Sequence, residues 1–168
     1  NANMHGIYES TEEDRIALLE LAAEAGIAAV DMQGYSFDLP SRDKHTGSRN
    51  YSFALPSVKE IVTDPAVIQK QMAFIDKMHA KGVEVLISTH TGVPMNCEQI
   101  VDLAKFLEER NPDIIKIVTP CENDEQVAEA FKTMITLRKE IKKAKIHFHC
   151  IFCYAKNSCF AAIQLAAT

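Results

Sequence analysis

One lysine and one histidine are placed where side-chain chemistry is rare. Lys116 interrupts the apolar, β-branched run "DIIKIVTP" (113–120), and lysine is among the residues least often fully buried. Such a lysine either pairs with a carboxylate or snorkels to the strand edge, or it is an amine with a pKa lowered by desolvation. In the second case its lone pair attacks a carbonyl and forms a Schiff base. His90 closes "VEVLISTH" (83–90) and, by the strand period of two, shares a side with Ser88. There an imidazole takes or returns a proton near neutral pH. A lone strand histidine is more often structural; paired with a strand lysine at the same end of a sheet, it points to a site.

A second constellation competes. "HFHCIFC" holds His147, His149, Cys150 and Cys153, and Cys-x-x-Cys beside histidines suggests zinc or redox chemistry. Strand alternation puts His147 and His149 on one face and Cys150 on the other, and no second Cys-x-x-Cys exists. Cysteine is also a common small core residue. The sequence therefore favours neither metal nor cofactor. The basic stretch 138–145 falls at a helix C-terminus, where it suits the dipole and a solvated face.

These residues need a scaffold, and the bulk properties allow one. The 168 residues suffice for a single domain with a substantial core. Hydrophobic content is 47% and charged content 24%, ordinary for a globular chain. A net charge of −5 and a pI near 5.7 argue against a nucleic-acid or anionic-membrane surface. No run of about 18 apolar residues is present to span a bilayer, and "NANMHGIYES" lacks signal-peptide character. Five cysteines, an odd number, suit free thiols in a reducing cytosol. A cytoplasmic protein is expected.

Helical and strand signals alternate. Ser10 with Glu13, followed by Ile16, Leu19 and Ala23, predicts a helix over 11–25 stopped by Gly26. "IAAVDMQ" (27–33) reads as a buried strand and 34–60 as a long polar loop. Asp64-Pro65 opens a helix over 65–80, before Gly82. After the strand 83–90, Asn96 with Gln99 starts a helix to about Arg110, and 113–119 is the third strand. Asn123 with Gln126 starts a fourth helix that ends in "RKEIKKAK". "IHFHC" (146–150) is the fourth strand and "IFCYA" (151–155) a candidate fifth. This is the rhythm of βαβ units, predicting a parallel sheet flanked by helices, its strands buried on both faces. In such proteins function gathers at the C-terminal strand ends, and Gln33, His90 and Lys116 all lie at or near them.

"VLISTHTGVPMNCEQIVDLAKFLEERNPDIIKIVTP" resembles the centre of type I 3-dehydroquinate dehydratase. That family shows Ser-x-His at one strand end, then a proline and an acidic helix start, and a lysine about 26 residues on in an Ile/Val strand after Asp-Ile. Here the matching residues are Ser88, His90 and Lys116, and "GIYESTEEDRIALLELAAEAGIAAVDMQ" is similar to the preceding strand–helix–strand. The resemblance spans most of residues 4–150. It implies a (βα)8 TIM-type barrel, present as roughly strands 4–8, with residues 1–168 as one partial barrel domain. It also implies a metal-free, cofactor-free lyase that dehydrates 3-dehydroquinate to 3-dehydroshikimate. Lys116 would condense with the C3 ketone, and the iminium would acidify the C2 proton. His90 would take that proton and then help hydroxyl leave. The partner is then a small molecule, with a homodimer as a compatible assembly.

The sequence also departs from the family pattern. Where the family has Asp-x-Glu, this chain has Asp31-Met32-Gln33; Gln33 can hold a hydrogen bond but cannot take a proton. The Gly-rich Ser-Arg segment that binds the substrate carboxylate is not found after "IHFHC". "IFCYAKNSCFAAIQL" resembles the eighth strand and its closing loop, making Ser158 and Gln164 candidate substrate contacts at altered spacing. Parallel strands need a crossover of about a dozen residues, yet two candidate strands meet at Cys150 and Ile151. The expectation is that these two are not bonded neighbours, their Cα atoms lying well beyond ~3.8 Å, with an arginine-bearing crossover between them. One unbroken strand would point instead to a truncated, inactive half barrel. Two alternatives remain: another lysine-dependent aldolase-type barrel, or a catalytically weak binder of the same fold.

Overall fold

The computed structural model describes residues 11–38, 62, 64–91, 94–152 and 162–167, the last six and 151–152 as backbone. The elements run α1 (Glu12–Glu24), β1 (Ala29–Gln33), α2 (Pro65–His79), β2 (Glu84–His90), α3 (Cys97–Glu108), β3 (Ile114–Cys121), α4 (Asp124–Glu140), β4 (Lys145–Phe152) and β5 (Ala162–Ala167). The helix starts follow side-chain chemistry: at each, the polar residue before the helix accepts one of the orphaned N-terminal N–H groups. Asn96 and Gln99 form a reciprocal capping box on α3, and Asp64 and Asn123 cap α2 and α4. On α1 the box is Thr11 with Asp14, one residue later than Ser10 with Glu13; Ser10 lies outside the described residues. Gly26 and Gly82 stop their helices at φ of 83° and 73°, a left-handed turn that suits a residue without Cβ.

The sheet order is β1-β2-β3-β4-β5, with β1 to β4 parallel and in sequence order. Right-handed crossovers that always step in one direction place every helix on the same face. The core confirms it: Val30, Met32, Val85, Ile87, Ile115, Ile117, Ile146 and Phe148 pack with residues of α1 to α4. This is an open section of a (βα)8 barrel, and the barrel is not closed. Consequently the strands are not apolar on both faces, as expected, but alternate. Asp31, Gln33, Ser88, His90, Lys116, His147 and His149 carry the second face.

Three further expectations fail. β4 runs unbroken through Cys150 and Ile151, which pair in one register with Thr119 and Pro120 of β3, so no crossover divides them. The next strand is not 151–155 but β5, and it lies antiparallel to β4. Nine residues (153–161) separate the two, enough for an antiparallel return but short of a helical crossover. Nor are all thiols free. The register sets the Cα atoms of Cys121 and Cys150 6.0 Å apart, within disulfide reach, and the two are bonded; Cys97 is a free cysteine. The basic stretch 138–145 is largely exposed, as expected, and the Glu108 carboxylate accepts the backbone N–H groups of Lys142, Lys143 and Ala144 there.

A buried charge ties α2, α3 and the end of β1 together. Arg110, 1% exposed, donates to Gln71 Oε1 at 2.7 Å and to the carbonyls of Phe106 and Val62. Gln71 Nε2 donates on to the carbonyls of Gly34 and Ser36, immediately after Gln33. Gln71→Ala orphans a buried guanidinium N–H and two carbonyls. It should cost about 3 kcal/mol in urea unfolding, whereas a loss below about 0.5 kcal/mol would mean the network carries little stability.

Candidate functional site

Adjacent parallel strands align their side chains in rows, and two rows make the candidate site. Gln33, Ser88, Lys116 and His147 stand in mutual register across β1 to β4. His90, Val118 and His149 form the row nearer the C-terminal strand ends. Strand alternation places all seven on the face away from the helices. At the other end of this face Lys145 pairs with Glu84.

Lys116 is half-buried, not fully buried as expected, because its face of the sheet is open. Its charge nevertheless reaches all three histidines, lowering the pKa of each. His90 is 9% exposed; burial first, then the charges of Lys116 and His149, push its pKa down to about 4. His147 and His149 are lowered by burial first and by Lys116. Their Nε2 atoms lie 2.5 Å apart. At neutral pH the lysine is therefore surrounded by unprotonated imidazoles, which are bases.

Beneath them, Ser88 Oγ donates to Asp31 Oδ1 at 2.6 Å. Gln33 is buried at the end of β1 in register with Ser88. Of the other sequence-derived candidates, Gln164 lies on β5 in register with His149, and Ser158 lies outside the described residues. The pairing of His147 with Lys116 was not read from the sequence. Its signal was present in "IHFHC", whose alternate histidines occupy one strand face, but strand register is a tertiary fact.

The depressed His90 pKa has a consequence for stability. Unfolded, the ring titrates near 6.5; folded, near 4. As pH falls below 6.5 the unfolded chain gains a proton that the folded chain refuses, so stability is lost between about 6.5 and 4 and levels off below. The full loss from this group is about 3 kcal/mol. Urea midpoints should drop across that window, and His90→Gln should flatten the drop; an equally steep drop in the variant would contradict the assignment.

No protein-family model and no curated protein sequence matches the chain. Solved structures do. A type I 3-dehydroquinate dehydratase from Clostridium difficile, solved with covalently modified comenic acid, superposes with a TM-score of 0.60 at 16% identity, covering 86% of this chain and 46% of its own. The 3-dehydroquinate dehydratase of Geobacillus kaustophilus gives 0.58 at 14%, covering 85% and 44%. That of Enterococcus faecalis gives 0.61 at 13%, covering 89% and 51%. This chain thus spans about half the length of the proteins it matches, and its fold is similar to that of part of their barrels.

Proposed function

We propose that this chain carries the Schiff-base half-site of a 3-dehydroquinate lyase, residues 1–168 forming one partial barrel domain. One observation supports the reading above others: Lys116 and His90 stand on one face of neighbouring strands, in adjacent register rows, of a fold shared with three dehydratases. Lys116 is the nucleophile on the C3 ketone, and the iminium nitrogen draws electrons from the C2–H bond. His90, unprotonated at neutral pH, takes that proton and returns it to the departing hydroxyl. Gln33 is a positioning group, and Ser158 and Gln164 are substrate contacts.

Two observations favour a second reading, that of a weak enzyme or binder. Gln33 stands where a carboxylate is expected, and β4 continues where an arginine-bearing crossover is expected. A catalytically weak chain would form the imine but release product slowly. The test is the ultraviolet absorbance of the conjugated product in the full chain and in Gln33→Glu. Turnover that rises about tenfold or more in the variant supports the lyase reading with an impaired site. Absence of turnover in both, with imine still formed, establishes the binder.

A further inference from the structure

We infer that His147 and His149 form a proton-carrying pair dedicated to the nitrogen of Lys116, separate from the carbon chemistry of His90. The inference deepens the Schiff-base reading and rests on it. His147 is the registered neighbour of Lys116 on β4, and His149 stands one row above, beside Val118. The two rings approach with centroids 4.2 Å apart and their Nε2 atoms in hydrogen-bond contact. His90 occupies the opposite side, on β2. Lys116 therefore has one histidine on one flank and two coupled histidines on the other.

A neutral imidazole holds one N–H and one lone pair. When His147 Nε2–H donates to His149 Nε2, the His147 lone pair lies at Nδ1. The Lys116 ammonium gives a proton to that nitrogen, His147 passes its Nε2 proton to His149, and the positive charge ends on His149. The freed amine lone pair bonds to the carbonyl carbon while the C=O π pair moves to oxygen. A proton shift from nitrogen to oxygen gives the carbinolamine. Reversing the relay protonates the hydroxyl, the C–O bond breaks, water leaves, and the nitrogen pair closes the C=N bond of the iminium. No other reactant is consumed. Among the described residues, the groups facing the pair are Lys116 on β3 and His90 on β2; β5 sets Ala166 opposite His147 and Gln164 opposite His149, neither of which titrates. Burial and the Lys116 charge keep both rings unprotonated, the form in which the relay begins.

The test is the time course of imine formation at Lys116, quenched with borohydride and read by peptide mass in the full chain. Two carbonyl probes run in parallel: 3-dehydroquinate, and pyruvate as one independent of the lyase reading. A proton carrier changes the rate and not the equilibrium. In His147→Gln and His149→Gln the initial rate should fall about 10²-fold while the final extent stays at the wild-type level. An unchanged rate overturns the inference, as does a parallel fall of rate and final extent, which marks a structural role. Wild-type trapping of pyruvate but not of 3-dehydroquinate defeats the lyase reading alone, and the pair is then judged on the pyruvate rates. If neither probe is trapped, Lys116 is not a nucleophile and both fall.

Discussion

Lys116→Ala should reduce dehydration of 3-dehydroquinate to the buffer rate and abolish borohydride-dependent labelling at this position, with the fold retained. Lys116 is the only lysine in the row of β-strand residues next to His90 and His147, and the other lysine on this face, Lys145, is engaged with Glu84 at the opposite end. Among the described residues no neighbouring amine can replace it. Retention of the fold follows because Lys116 is only half-buried and lies on the face away from the apolar core, so its loss opens little cavity. Far-ultraviolet circular dichroism checks the fold, and undiminished turnover would remove Lys116 from the mechanism.

His90→Ala should separate two steps that Lys116→Ala removes together. With Lys116 present the imine still forms, so trapping persists. The C2 proton loses its acceptor, and turnover should fall by roughly 10² to 10⁴-fold. The pH dependence follows from the same geometry. Because the imidazole is unprotonated above about pH 4, the acidic limb of kcat should lie well below that of an ordinary histidine. Exchange of the C2 hydrogen with solvent deuterium, followed in recovered substrate, isolates this step. Exchange as fast in His90→Ala as in the wild type would show that another base removes the proton.

Local chemistry was legible in the sequence, and long-range placement was not. The caps at Asp64, Asn96 and Asn123 and the stops at Gly26 and Gly82 depend on residues within a few positions of each other, and the helices begin and end where those residues direct. The strand positions of His90 and Lys116 were equally readable, because β-branched runs mark them. The alternating polar face was hidden: Ile114, Leu86 and Val118 make the strands look apolar throughout, while the open barrel leaves that face half-exposed. The antiparallel β5 was hidden for a similar reason. "IFCYA" reads as a strand in isolation, but its first two residues continue β4. The Arg110–Gln71 link joins residues 39 apart, which no local pattern encodes, and the disulfide of Cys121 and Cys150 depends on the β3–β4 register.

If Lys116 forms a Schiff base with 3-dehydroquinate, borohydride reduction of the wild-type chain in its presence fixes the substrate carbon skeleton to that residue. One stable adduct is expected, on the peptide carrying Lys116, and it should require both substrate and reductant. An unmodified Lys116, or adducts spread over the exposed surface lysines, would contradict it.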